Sequence, residues 1–174
     1  MKSIEEYVRT VPDFPKKGIM FRDVTTVLKD PDGFRLAIDL MMKELEGLEF
    51  DAIAGAESRG FILASPLAYL MKKPLILVRK KGKLPCETVS ESYELEYGSA
   101  EIEIHCDSIK AGDRVVLVDD LIATGGTMAA AAKLFEKLGG EIARIIFLLE
   151  LSGLEGRKIL KDYDVRSIIK YPGK

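Results

Sequence analysis

The sequence predicts an α/β fold: an open, mainly parallel five-stranded sheet with helices on both faces, plus a small hood and a flexible lid hairpin. Apolar, β-branched runs centred near Ile53, Leu77, Leu117, Ile146 and Ile168 read as strands buried on both sides. Helical segments of comparable size separate most of them, the pattern of crossover connections. One run, Val115 to Val118, stops at Asp119 and Asp120, passes through Ala123-Thr124-Gly125-Gly126-Thr127 and gives way to the helix-forming Met128 to Lys133. That is a strand, a turn and a helix, and in an open parallel sheet such a turn lies at the edge where ligands bind.

A chain of 174 residues with 47% hydrophobic and 31% charged residues suits one well-buried domain over 1–174. A formal net charge of -2 gives no general attraction for nucleic acid, so no nucleic-acid partner is expected. The local run Arg79-Lys80-Lys81-Gly82-Lys83 is the exception, and four cations near the ligand edge suit a diphosphate better than a plain solvated strand end. Cys86 and Cys106 lack metal-ligand spacing, and His105 has no His partner, which argues against a zinc site or a His-based triad. Acids in the opening MKSIEEYVRT argue against a signal peptide, and the apolar run near Ile145 is bounded by Arg144 and Glu150. A cytoplasmic protein with free thiols and no membrane partner is expected.

Taken in order, the elements follow from local chemistry. Prolines and Gly18 hold Val11 to Val24 extended and outside the main sheet. Asp30 reads as an N-cap with Pro31 at the first helical position, and Phe34, Ile38, Met41 and Leu45 then form one apolar face that ends by Gly47. A short strand, Asp51 to Gly55, leads through Glu57-Ser58-Arg59-Gly60 into a helical segment reaching Met71, which Pro66 should kink or restart. After the strand Leu75 to Arg79, the polar tract 82–98 reads as the lid, and Glu101 to His105 alternates as a half-exposed strand. Gly139-Gly140 stop the helix after the acidic strand. A helix from Leu154 to Leu160 is expected between the last two strands, and the hood takes in about 1–30 and 150–160.

The Ala123 to Thr127 turn can do specific chemistry. Successive N–H groups around Gly125 and Gly126, with no Cβ to block approach, form an anion nest at a helix N-terminus, and the Thr124 and Thr127 hydroxyls add donors. Asp119 and Asp120 would repel a phosphate but can accept hydrogen bonds from the hydroxyls of a sugar that carries one. The ligand this suggests is a ribose 5-phosphate. No G-x-x-x-x-G-K-[ST] loop occurs.

The Asp119 to Thr127 string resembles the phosphoribosyl-diphosphate (PRPP) signature of the type I phosphoribosyltransferases. Phe14-Pro15-x-x-Gly18-Ile19-x-Phe21-Arg22-Asp23, Glu57-Ser58-Arg59-Gly60-Phe61, Arg79-Lys80-x-Gly82-Lys83-Leu84-Pro85 and Tyr93-x-Leu95-Glu96-Tyr97-Gly98 precede it in order. Over nearly its whole length the chain resembles the adenine phosphoribosyltransferase family. The resemblance implies transfer of the phosphoribosyl group of PRPP to adenine, giving AMP and diphosphate, with Mg²⁺ carried by PRPP or diphosphate rather than held by the protein, in a homodimer. It implies that Ala123, Thr124, Gly125, Gly126 and Thr127 hold the 5-phosphate and that Asp119 and Asp120 hold the ribose hydroxyls. Arg59 and Lys83 would meet the diphosphate, Lys83 from its own or the neighbouring subunit. Glu96 and Tyr97 would sit on the lid over the reacting centre, making Glu96, Arg59 and Tyr97 the expected catalytic groups. Met20, Phe21, Arg22 and Leu151 would line the adenine pocket. The tract Pro85 to Ser90 matches least well. Two other readings compete: a transferase for another purine such as xanthine, and a PRPP-sensing regulator, which should add a DNA-binding domain or a basic face.

Overall fold

The computed structural model describes residues 2–94 and 98–173. The chain opens with a single turn, Ile4–Tyr7, and a separate two-stranded antiparallel pair, β1 (Arg9–Pro12) and β2 (Met20–Asp23), with Arg9 opposite Asp23 and Pro12 opposite Met20. Arg9 clamps this pair by donating to Asp23 Oδ2 from Nε at 3.1 Å and from its terminal nitrogen at 2.5 Å. The other oxygen of Asp23 accepts from the N–H and hydroxyl of Thr25, at 2.9 and 2.6 Å, and so starts α1 (Thr25–Lys29). α2 (Pro31–Lys43) begins as its sequence requires: Asp30 Oδ1 accepts from the N–H groups of Asp32 and Gly33 with Pro31 in the first turn. Gly33 is needed there because a Cβ would lie 2.7 Å from the Tyr7 ring.

The remaining elements are β3 (Ala52–Ala56), α3 (Arg59–Met71), β4 (Leu75–Lys80), β5 (Thr88–Glu94), β6 (Ser99–His105), β7 (Arg114–Ile122), α4 (Gly126–Lys137), β8 (Glu141–Leu151) and β9 (Val165–Tyr171). Pro66 lies inside the single helix α3 instead of opening a new one. The five expected strands are all present and pair in parallel, in the order β4-β3-β7-β8-β9. Their apolar runs are continuous because alternate residues face opposite cores. Val115 and Leu117 pack towards α4, and Val116 and Val118 pack towards α2 and α3.

Two expectations need correction. Among the described residues the main sheet has seven strands, not five, because β6 pairs antiparallel with the end of β4 and β5 pairs with β6. β5, within the tract read as a lid hairpin, is therefore the edge strand of the sheet. β6 is also more buried than half-exposed: Ile102 and Ile104 join the core under α4, and Glu103 is covered as well. The second correction concerns 154–160, which forms no α-helix. Two short 3-10 turns, Ser152–Leu154 and Gly156–Lys158, flank Glu155 in the left-handed region at φ 55°. A segment this short, with Gly156 inside it, cannot offset helix nucleation, and Arg157 is drawn back onto Glu150 instead.

The side chains of Thr25 and then Arg9 hold the Asp23 carboxyl down at about 2, against an ordinary value of 3.8. A carboxylate depressed on folding stabilises fully above its unfolded value and loses that contribution as pH falls through the folded one. The melting-temperature gap between wild type and Asp23→Asn should therefore hold steady from neutral pH down to 3.8 and close as pH falls to about 2. Thermal melts across that window measure it, and a gap independent of pH would contradict the assignment.

Candidate active site

The site forms where β3, β4 and β7 end. β7 carries Asp119 and Asp120, and the loop 123–125 turns directly into α4. Gly125 makes this turn in the left-handed region at φ 82°, where other residues are strained. The first-turn N–H groups of α4 open onto a cavity of about 400 Å³ lined by Glu57 to Arg59, Lys80, Tyr93 and Asp119 to Thr127. All five residues expected to hold a phosphate, and both carboxylates, thus share one cavity.

The two aspartates have different surroundings. Asp120 is buried and accepts from Arg59 Nε at 2.5 Å, while the Arg59 side chain remains 49% exposed. Asp119 Oδ1 accepts the Asp120 N–H at 2.9 Å. Burial, and then the charge of Asp120, push the Asp119 carboxyl well above its ordinary value. A ligand that donates hydroxyl hydrogen bonds would relieve that cost. Arg59 reaches Asp120 because α3 starts very close to β7: a Cβ on Gly60 would lie 2.8 Å from the Val118 carbonyl oxygen.

Glu57 braces the neighbouring loop by accepting from the Lys80 N–H at 2.9 Å and Arg79 Nε at 3.3 Å. Burial works to raise its pKa, but these donors and the nearby cations leave it lowered. The basic run therefore splits by role. Arg79 serves Glu57, Lys80 lines the cavity, and Lys81 pairs with Glu101 at 2.8 Å. Lys83 is exposed and does not line this cavity. Its loop is fixed by the buried Glu103, whose Oε1 accepts from the N–H groups of Gly82, Lys83 and Leu84 at 3.0, 3.1 and 3.0 Å. Burial opposes ionisation of Glu103, yet these three donors hold its pKa below the ordinary value.

A second cavity of about 160 Å³ adjoins the first. It is lined by Ile19 to Val24, Arg59, Asp120, Leu121 and Leu151, so it unites Met20, Phe21, Arg22 and Leu151. Arg59 and Asp120 line both spaces. The Arg22 guanidinium stacks 4.0 Å from the Tyr171 ring centroid and donates to Thr10 Oγ1, which fastens β2 to β1 and β9. Phe14 packs edge-on against Phe21 with ring centroids 5.1 Å apart.

Glu96 and Tyr97, expected on the lid, lie outside the described residues. Sequence reasoning did not single out Ser58, Lys80 or Leu121 as site residues. Lys80 was visible only as one of four cations, and register alone selects it. Tyr93 falls within the tract 82–98, and the fold sets it against the start of α4: a Cβ on Gly126 would lie 3.5 Å from its ring.

Residues 23–173 match the family model of the phosphoribosyl transferase domain. The chain is 64% identical to adenine phosphoribosyltransferase of Agathobacter rectalis over 174 residues, covering 100% of each. Among solved structures, adenine phosphoribosyltransferase from Thermoanaerobacter pseudethanolicus superposes with a TM-score of 0.92 at 55% identity, covering 97% of this chain and 98% of that one. The Saccharomyces cerevisiae enzyme, complexed with an imino-altritol bisphosphate and adenine, gives a TM-score of 0.90 at 38% identity, with 95% and 96% covered. With the family model spanning most of the chain and relatives this similar over their full length, the chain belongs to the phosphoribosyl transferase domain family, within its adenine phosphoribosyltransferases.

Proposed function

We propose that the chain transfers the 5-phosphoribosyl group of PRPP to adenine, releasing AMP and diphosphate, as a purine-salvage enzyme. The observation that carries this is the pair of adjoining cavities that meet at Arg59 and Asp120, one a polar nest and the other apolar and base-sized. The 5-phosphate sits in the loop 123–127. Asp119 and Asp120 accept from the ribose hydroxyls, and Arg59 and Lys80 face the diphosphate. Adenine lies between Phe21 and Leu151. Displacement at the anomeric carbon builds positive character on the ribose and negative charge on the leaving diphosphate, by analogy with glycosidic cleavage. Cations aimed at that leaving group stabilise the transition state more than the ground state.

Mg²⁺ is part of this proposal. Among the described residues no group of three or more His, Cys, Asp or Glu side chains could hold a metal. The available donors near the diphosphate are Asp119 and the partly committed Asp120, which suits an ion that keeps its waters and is held mainly by substrate oxygens. Bound there, it would neutralise charge on the leaving group.

Base choice rests on the backbone. An extended strand offers a C=O and an N–H, which match the 6-amino donor and N1 acceptor of adenine and mismatch the 6-oxo group and N1–H of guanine. The engagement of the Arg22 side chain with Tyr171 and Thr10 supports a bracing role for it. A homodimer is supported by exposed Ile62, Tyr69 and Leu70 on α3 and Leu75 and Leu77 on β4. It would also let Lys83, exposed away from its own cavity, serve the neighbouring site. The tract 82–98, with Glu96 and Tyr97, is proposed to close over bound PRPP. Two exposed free cysteines favour the cytoplasm, and no helix is long and apolar enough to cross a membrane among the described residues.

With PRPP and Mg²⁺, AMP formation from adenine should greatly exceed product formation from guanine, hypoxanthine or xanthine; equal use of these bases would overturn the proposal. Arg22→Ala should lose some adenine affinity through packing yet keep its preference over hypoxanthine. A kcat/KM ratio falling towards unity would assign base reading to the guanidinium. Arg59→Ala should lower kcat by about a hundredfold to a thousandfold. It should also cost about 1–3 kcal/mol of stability, because Asp120 keeps a buried charge without its cation. Adding Asp120→Asn should recover part of that stability and none of the activity, as read by melts and initial rates.

A further inference from the structure

Glu150 is a buried carboxylate that takes no part in the chemistry above, and its side chain is only 8% exposed. Arg157 encloses it. Nε lies 2.9 Å from both Glu150 oxygens, one terminal nitrogen donates to the Val165 carbonyl at 2.8 Å, and the other reaches Ser167 Oγ at 3.2 Å and Glu150 Oε2 at 2.8 Å. One guanidinium thus ties the turn at 156–158 to β8 and β9 together. The other ties of this turn are local, such as Lys158 N–H to Glu155 O at 2.9 Å, along with the buried Leu160.

The far side of the same turn presses on the phosphate loop, backbone against backbone. A Cβ on Gly125 would lie 2.6 Å from the Gly156 carbonyl oxygen and 2.6 Å from Ile159 Cγ2. A Cβ on Gly156 would in turn overlap the Ala123 carbonyl oxygen and lie 2.9 Å from Ile122 Cγ1. Gly125 and Gly156 put the two backbones in direct contact, with the Ile122 and Ile159 side chains packed beside them, so a shift of the turn becomes a shift of the loop.

We infer that Glu150 and Arg157 are positioning residues for the 5-phosphate, holding the 156–159 turn as the rigid back wall of the loop 123–125. The inference rests on that loop being the phosphate site. The base cavity does not depend on this clamp, because Leu151 is held in the β8–β9 ladder opposite Tyr171. A buried ion pair contributes little net stability compared with apolar packing of the same volume, whereas its fork fixes direction. Depletion of this pair should therefore damage phosphate recognition selectively.

The test compares AMP with adenosine, which differ only in the 5-phosphate, by calorimetry on the full chain carrying Arg157→Lys, Glu150→Gln or Gly156→Ala. Gly156→Ala leaves the ion pair intact and disturbs the contact from the other side. All three variants should weaken AMP by about tenfold to a hundredfold and raise KM for PRPP in parallel. Adenosine affinity and KM for adenine should stay close to wild type. Equal losses for AMP and adenosine, or a lowered melting temperature and active fraction with KM for PRPP unchanged, would overturn the inference. Thr127→Ala separates this from failure of the underlying reading. If it too leaves the AMP-to-adenosine ratio at the wild-type value, the loop is not the phosphate site and both fall. If it alone collapses the ratio, only the clamp is lost.

Discussion

Everything in this molecule hangs on a strand that is buried on both faces and then stops being apolar. Val115 to Val118 contribute alternately to the two cores, so β7 cannot slip or tilt without exposing one of them. That rigidity is inherited by Asp119 and Asp120, the next two residues. The start of α3 packs so closely against the same strand that only glycine fits at position 60, which brings Arg59 onto Asp120. The polar centre is therefore placed by apolar packing behind it.

Buried and half-buried carboxylates recur around this centre, and each gathers donors from a neighbouring segment. Glu57 takes the Lys80 N–H, Glu103 takes three successive N–H groups of 82–84, and Glu150 takes the Arg157 fork from the turn at 156–158. Desolvating such groups is costly unless their hydrogen bonds are complete, and here donors outweigh burial in each case. Asp119 is the contrast, since its charge is opposed by burial and by Asp120. A group left in that condition at a cavity wall is suited to a ligand that brings donors of its own. On the proposed reading those donors are ribose hydroxyls.

The division of labour between the two cavities follows from their materials. An anion is met by N–H groups and cations at strand ends and a helix start, which cost no reorganisation when charge moves. On the proposed reading, a flat base is met by Phe21, Leu151 and the edge of an extended strand. Arg59 and Asp120 belong to both spaces, so a change at either would be felt by sugar and base together.

Much of this was legible in the chain alone. The five parallel strands, the Asp30 cap and the acidic strand leading into a glycine turn follow from periodicity and local chemistry, which act over a few residues. Local chemistry also pointed to the groups suited to a phosphate, whereas the base-pocket residues were implied only by resemblance to a family. What it could not determine was pairing at a distance. Whether β6 joins the end of β4, whether 154–160 coils into a helix or is pulled back by Arg157, and which cation of Arg79 to Lys83 reaches the cavity all depend on contacts made in three dimensions. The same holds for Glu103 and Glu150, whose spacing in sequence carries no sign of the backbone they hold. Local order is written in neighbouring residues, but long-range polar contacts are selected by the packed core, and only the tertiary structure decided them.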